Sequence, residues 1–248
     1  MRRLVLSDIH SNMEAFDACM ERAEHFGFDD VLCSGDIVGY GPEPNEAVAR
    51  VASIQATAIR GNHDRVASGQ DDARDFNAHA KAAIQWTREQ LSKSAMRYLL
   101  SLPVGPLEVG HDAQLVHGAL THEDDYVMSE AHAGESFRRT ETRITFFGHT
   151  HFPTVFSRNG WDDVVLEMPE NEEDYQVFDL EPGIQYLLNP GSVGQPRDND
   201  TRSAFAIWDV ARSRVEFHRA RYPFEVTQEK MREAGLPRYL IDRLQYGR

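Results

Sequence analysis

One juncture recurs along this chain and constrains its fold more than any other feature: a short apolar run that stops abruptly at a loop of Gly, Asp, Asn and His. It occurs at Asp8-Ile9-His10 after the run 4–6, at Gly35-Asp36 after 31–33, and at Gly61-Asn62-His63-Asp64 after 56–59. It returns at His117-Gly118 after 114–116 and at Gly148-His149-Thr150-His151 after 143–147. Apolar runs this short, bounded by turn residues, read as buried strands. Helical patterns separate the first three, so the chain opens β-α-β-α-β, and consecutive parallel strands end on the same edge of a sheet. Polar residues far apart in sequence are thereby gathered into one pocket.

The connecting segments support that reading. Ser11-x-x-Glu14 matches a capping box, Ala15, Phe16, Cys19, Met20 and Ala23 follow at helical spacing, and Gly27 supplies the stop. Pro42 and Pro44 open a short helix over 45–51, and 71–101 carry helical signal up to Pro103. Beyond it the texture becomes short strands: a hairpin 107–109/114–116, then 143–147, 154–157, 164–168, 175–178, 184–188, 203–210 and 214–219. Two helices, 227–234 and 237–244, close the chain. No repeat and no Pro/Gly/Ser linker interrupts it, so the expectation is one α/β domain over 1–248, a mixed sheet of two halves with helices outside and the helices of 223–248 packed upon it.

Composition removes several function classes. Twenty-six basic and 40 acidic residues leave a net charge of −14, which repels phosphate backbones and argues against a dedicated nucleic-acid binder. It does not exclude a small phosphorylated substrate, because a bound cation inverts the local field. Cys19 and Cys33 are the only cysteines, too few for a disulfide framework or a thiolate metal site, and they point to the reducing cytoplasm. No apolar stretch approaches the length of a membrane span. The polar face of the last helices mixes Glu229, Lys230, Arg232, Glu233 and Arg243 without a basic bias, so these helices are expected to pack on the sheet or on a second subunit in a homodimer rather than on a membrane.

Together the five loops offer three carboxylates, one amide and five imidazoles. Oxygen and nitrogen donors without thiolate suit Mn, Fe, Zn, Co or Ni. They exceed what one ion needs, whereas a pair of ions roughly 3.5–4 Å apart would use them. Asp36 is the natural bridge, since a carboxylate can offer an oxygen to each ion. Such a pair clamps phosphate oxygens and lowers the pKa of a bridging water to near neutrality. The glycines before Asp36, Asn62 and His149 are expected to allow the sharp turns that aim these side chains.

Taken in order, these loops resemble the signature of the calcineurin-like metallophosphoesterases, D-x-H, G-D, G-N-H-D, H and G-H-x-H. The segments Gly39-Tyr40-Gly41-Pro42 and Asn189-Pro190-Gly191-Ser192-Val193-Gly194-Gln195-Pro196-Arg197 resemble the family's bacterial single-domain branch. Each motif alone is weak, and five in order are specific. The resemblance implies a four-layer α-β-β-α sandwich of two mixed sheets. It implies Asp8, His10, Asp36 and His151 on one metal ion, and Asp36, Asn62, His117 and His149 on the other, with manganese the first choice and Fe, Zn, Ni or Co the alternatives. His63 is then no ligand: with Asn62 it faces the substrate phosphate and protonates the leaving oxygen, and Asp64 is expected to hydrogen-bond and orient it. Arg197 is expected to reach a substrate phosphate, a surface salt bridge being its other reading.

The activity implied is hydrolysis of a phosphoester by a metal-bridging hydroxide, with small phosphodiesters or nucleotides as first choice. A dinucleoside polyphosphate hydrolase or a phosphoprotein phosphatase stands second. The non-enzyme alternative is a metal-stabilised interaction scaffold, against which the complete ligand set weighs. His25, His79, His111, His122, His132 and His218 lack motif context and read as surface or structural. His122-Glu123-Asp124-Asp125 reads as a solvated acidic loop, with a pocket border as the other reading, and Glu167, Glu170, Glu172, Glu173 and Asp174 as a charged hairpin tip.

Overall fold

The structure, a computed structural model, describes residues 1–160, 163–170 and 174–248; Glu172 and Glu173 of the acidic stretch lie outside the described residues. Among the described residues twelve strands form two mixed six-stranded sheets. In the first, β1 (Arg2–Leu6) runs parallel to β2 (Asp30–Cys33), which runs parallel to β3 (Thr57–Ala58). Antiparallel β11 (Ser203–Asp209), β12 (Arg214–Ala220) and β9 (Tyr175–Asp179) extend it on the other side of β1. In the second sheet β5 (Ala113–Leu115), β6 (Ile144–Phe146) and β10 (Ile184–Asn189) are parallel. They are flanked by β4 (Leu107–Gly110) on one edge, and by β7 (Thr154–Asn159) and β8 (Val165–Glu167) on the other.

Side-chain alternation along the strands builds the layers. Val5, Ala206 and Trp208 point between the sheets, where they meet Leu115, Ile144, Phe146 and Leu188. Leu4, Leu6, Phe205 and Ile207 face the other way, onto α1 (Met13–Phe26), α2 (Pro44–Ser53) and α5 (Lys93–Ser101). The outer face of the second sheet is covered by Ala133 and Phe137 of α6 (Glu130–Phe137), packed on Phe147, Phe156 and Leu187. The result is the α-β-β-α sandwich that the resemblance implied.

At the C-terminus, α7 (Phe224–Glu233), α8 (Arg238–Asp242) and a closing 3-10 turn (Arg243–Tyr246) follow. They bury Met231, Leu236, Leu240, Ile241 and Leu244 against Tyr40 and against Ala80 and Ala83 of α4 (Ala78–Gln90). Lys230 fastens them further, ion-paired with Glu14 and, at 2.8 Å, with Glu43. Among the described residues no helix is long and apolar enough to cross a membrane.

Local expectations failed in four places, each for a physical reason. The cap of α1 is Asn12, whose side chain accepts from the Ala15 N–H at 3.2 Å. Ser11 is drawn instead into a left-handed turn at φ +54, and Glu14 is engaged by Thr227 and Lys230. The helical signal of 71–101 belongs to α4 and α5 only, while 71–77 forms a non-helical wall. The segment α3 (Asn62–Ala67) is a helix whose six residues, four of them polar, are all buried, so it shows no apolar stripe opposite a solvent face to mark it. The α6 segment is only eight residues long with Gly134 inside, and its sequence carries no helical pattern.

His218 illustrates how this packing handles a titratable group. It is buried on β12 and stacked on Phe205 of the neighbouring strand at 5.0 Å and 8°, with Phe26 at 4.4 Å. Its Nε2 lies 3.7 Å from Glu216, beyond hydrogen-bond length. Burial, reinforced by the nearby Arg22 cation, pushes its pKa down to about 4. The unfolded chain binds this proton near the ordinary histidine value and the folded chain does not, so stability from this group is full above about pH 6.5 and falls by roughly 1.4 kcal/mol per unit on acidification towards pH 4. In His218→Phe this component should vanish: the stability of the variant relative to the parent, from urea unfolding at pH 7 and pH 5, should rise by about 2 kcal/mol on acidification. Parallel pH curves for the two proteins would reject this account.

Candidate metal centre

The loops after β1, β2, β3, β5 and β6 converge at the C-terminal ends of the parallel strands and are joined by main-chain hydrogen bonds. Asp8 N–H donates to Gly35 O, His10 N–H to Asp36 O and Ser11 N–H to Ile37 O, each at 3.0 Å. Gly148 N–H donates to His117 O at 2.8 Å and Gly194 N–H to Asp8 O at 2.9 Å, tying in the second sheet and the 191–194 turn. Pinned this way, Asp8, His10, Asp36, His149 and His151 all adopt left-handed backbone, with φ between +49 and +66. That conformation costs an L-residue roughly 1–2 kcal/mol, and it concentrates at functional sites where the surroundings over-determine it.

Gly35, at φ +98, makes the turn before Asp36 as expected, whereas Gly61 and Gly148 do not take positive φ and ligand-type residues such as Asp36 and His149 turn themselves. Gly61 has ordinary negative φ; its role is space, since a Cβ there would collide with Asp36 Oδ1 and its own loop partner. Gly39, at φ +92, leaves room for the imidazole of His63, whose Cγ would lie 2.9 Å from a Cβ.

The side chains fall into overlapping clusters. Donor atoms of Asp8, His10 and His151 lie within 4.8 Å of one another, as do those of Asp36, His117 and His149, and those of His10, Asp36 and His63. One oxygen, Asp36 Oδ2, stands 3.7 Å from His10 Nε2 and 3.4 Å from His117 Nε2, between the two halves. Asn62 Oδ1 is 3.1 Å from His117 Nε2. All seven ligand candidates, Asp8, His10, Asp36, Asn62, His117, His149 and His151, are thus brought together and buried.

Each imidazole is oriented by a main-chain carbonyl. His10 Nδ1 bonds Val38 O at 3.1 Å, His117 Nδ1 bonds Ser34 O at 2.8 Å and His151 Nδ1 bonds Gln195 O at 2.6 Å. A proton held on Nδ1 leaves the Nε2 lone pair free for a cation, the usual support of a ligating histidine. His149 is the reverse: Nε2 bonds Asp124 O at 3.1 Å, leaving Nδ1 as its donor.

The electrostatics fit divalent cations. Burial opposes ionisation of Asp8 and Asp36, but the surrounding imidazoles, a protonated His117 among them, hold both carboxyls well below the usual range. Burial also opposes charge on His117, but Asp36 and then Asp8 raise it to about 10, so in the metal-free protein a proton supplies the missing positive charge. Burial lowers His10, His63, His149 and His151, with His63 near 4 and His149 near 3. The Nε2 atoms of His10 and His151 face each other at 3.2 Å. Carboxylates and neutral imidazole nitrogens aimed at common points, with no thiol, are the donor set of a first-row divalent ion.

Beside these clusters lies a cavity of about 200 Å³, lined by Asp36, Asn62, His63, His149, His151 and Arg197 on the motif side. Tyr40, Asp75, Phe76, Asn77, Asp124 and Tyr126 line the other. His63 reaches it, its ring centroid 4.3 Å from Tyr40 and 4.6 Å from Phe76. Its main-chain N–H donates to Asp36 Oδ1 at 2.9 Å, and among the described residues its Nδ1 has no hydrogen-bond partner. The expected bond from Asp64 is absent: Asp64 Oδ1 accepts from Val38 N–H at 3.1 Å and Oδ2 from Gly61 N–H at 3.0 Å. Asp64 clamps two loops, and ring packing orients His63. Burial, with Asp36 nearby, raises the Asp64 carboxyl to about 7.

Arg197 lines the cavity with its guanidinium 6.0 Å over Tyr40 and Nη2 donating to Gln195 Oε1 at 3.1 Å. Among the described residues it has no carboxylate partner, so the salt-bridge reading fails. The loop 122–125 is no free solvated loop either, since Asp124 lines the cavity and bonds His149. Tyr126, stacked on His149 at 4.1 Å and 17°, has no signal in the sequence that would single it out.

Residues 1–213 match the calcineurin-like phosphoesterase superfamily domain. An uncharacterized protein of Methanocaldococcus jannaschii is 32% identical over 98% of this chain and 97% of its own length. The crystal structure of a metallophosphoesterase from Sphaerobacter thermophilus superposes with a TM-score of 0.88 at 38% identity, covering 100% of this chain and 99% of that one. A hypothetical protein of Pyrococcus horikoshii shares the fold at TM-score 0.81 and 20% identity, over 100% and 98% of the two chains. Likeness of this extent, on a chain whose strand ends already gather carboxylates and imidazoles, places the protein in the calcineurin-like phosphoesterase superfamily, as a metal-dependent phosphoester hydrolase.

Proposed function

We propose that the protein is a dinuclear metal-dependent phosphodiesterase acting on small phosphodiesters or nucleotides. The observation that carries this is Asp36 Oδ2, shared between the His10 side and the His117–Asn62 side of one buried cluster. Asp8, His10, Asp36 and His151 would hold one ion, and Asp36, Asn62, His117 and His149 the other, manganese being the first choice. When bound, such a pair supplies Lewis acidity to the ester and lowers the pKa of water held between the ions.

The chain's own residues do the rest. Arg197, without a carboxylate partner among the described residues, offsets charge on the non-bridging phosphate oxygens. His63 is neutral in the free protein, and an anionic ester placed beside it favours its charged form. It can then give a proton to the departing oxygen at the moment negative charge develops there. Among the described residues that line the cavity there is no serine, threonine or cysteine, so this reading invokes no covalent phosphoenzyme.

Size supports a small substrate. A cavity of about 200 Å³ is below the 300–1,000 Å³ common for drug-sized ligands, so it takes a phosphate with a small part of its ester group. The half-exposed Tyr126 and Phe76 at its wall supply ring faces for an aryl group or a nucleobase. The buried free thiols of Cys19 and Cys33 support a cytoplasmic setting, and the net charge of −14 disfavours polyanionic nucleic acid as substrate. A homodimer is the proposed assembly, through a surface other than Met231, Leu236, Leu240, Ile241 and Leu244, which are buried within the chain.

Hydrolysis of an aryl phosphodiester should appear with added manganese and vanish on chelation. Faster turnover of monoesters or dinucleoside polyphosphates would move the substrate class, and no turnover on any ester by fully metallated protein would overturn the enzymatic reading. Asp36→Asn should lose bound metal and activity together, measured by elemental analysis beside the assay. His63→Gln should keep its metal and lose ~10²–10⁴-fold in kcat, the range for one acid–base partner; full activity in that variant would remove His63 from this role.

A further inference from the structure

His149 differs from the other three histidines of the cluster in what holds it. His10, His117 and His151 lean on carbonyls of Val38, Ser34 and Gln195, within the motif loops or the 191–197 segment. The carbonyl on His149 belongs to Asp124, in a loop outside any helix or strand. That loop is fastened by side chains instead. Arg65, on α3 immediately after Asn62-His63-Asp64, donates from Nη2 to Asp124 Oδ2 at 2.5 Å and places Nη1 2.6 Å from Glu123 Oε1. Arg60, just before α3, grips Glu123 from the other side, Nε to Oε2 at 3.2 Å and Nη2 to Oε1 at 2.9 Å. Arg65 is only 9% exposed, a burial that a guanidinium sustains only when paired.

We propose that Arg65, braced by Arg60 and Glu123, is a positioning residue for His149: by gripping the Asp124 carboxylate it keeps the Asp124 carbonyl on His149 Nε2, fixes the ring as its Nε2–H tautomer, and presents Nδ1 to a cation. The inference rests on the reading of His149 as a ligand. Chain geometry makes the link short, because the carboxylate that Arg65 holds and the carbonyl that His149 uses belong to one residue. Tyr126, two residues on, stacks on the same ring and lines the cavity, so this loop touches both the ligand and the place where the ester sits. Support behind a ligating histidine is worth about 10–100-fold in metal affinity.

The test uses two readouts. In the metal-free protein, 15N shifts of the His149 ring should report protonation at Nε2, and in Arg65→Met the ring should populate both tautomers. In manganese titrations the parent should take up two ions, and Arg65→Met should weaken one of them by about 10–100-fold while sparing the other. Arg65→Lys should recover part of that loss. If Arg65→Met does not fold, Asp124→Ala, which keeps the carbonyl and removes the grip, should move both readouts the same way. Unchanged tautomer and unchanged affinities in these variants would overturn the tether. A parent protein that takes up no manganese would contradict the ligand reading, while the tautomer comparison would still decide on the tether.

Discussion

Asp8 and Asp36 are carboxylates at 0% and 1% exposure, packed into the same cluster, and their compensation is the constraint on which the rest of this structure depends. Buried negative charge is costly unless positive charge or hydrogen-bond donors meet it. In the metal-free chain the compensation is borrowed: a proton on His117, and main-chain N–H groups of His63 and His149 aimed at the carboxylate oxygens. An arrangement that holds its carboxylates ionised and its other imidazoles neutral is suited to divalent ions and poorly suited to a dry core.

The sandwich exists to hold that cluster in place. Two parallel strand triplets deliver their loops to one edge, where main-chain hydrogen bonds and buried side chains such as Asp64 tie the loops to one another. This lets five ligand-type residues occupy left-handed backbone, a strain of several kcal/mol in sum that the surrounding hydrogen bonds offset. The glycines nearby both turn the chain, as at Gly35 and Gly39, and leave space for contacts between loops, as at Gly61 against Asp36 and Gly39 against His63.

Residue types made the site legible in the sequence, and local context hid its supports. Asp8, His10, Asp36, Asn62, His117, His149 and His151 stood out because polar residues cluster where apolar runs end, and β-α-β-α-β gathers such ends. The two-sheet architecture came from the resemblance, since the later short strands carry no information about which of them pair. What escaped notice depends on long-range pairing. Ser11 looks like a helix cap until its left-handed turn hands the role to Asn12. Asp64 looks like a partner for His63, its neighbour in sequence, yet the helix that starts at Asn62 turns its carboxylate to Val38 and Gly61. The loop 122–126 looks solvated because nothing near it in sequence neutralises it; its partners Arg60 and Arg65 lie about 60 residues away.

The central claim is that one carboxylate, Asp36, joins two cation positions. Anomalous diffraction from crystals of manganese-loaded protein, collected on both sides of the manganese edge, tests it most directly. The account predicts two peaks roughly 3.5–4 Å apart with Asp36 between them, one beside Asp8, His10 and His151, the other beside Asn62, His117 and His149. A single peak in active, saturated protein, or peaks remote from Asp36, would contradict it.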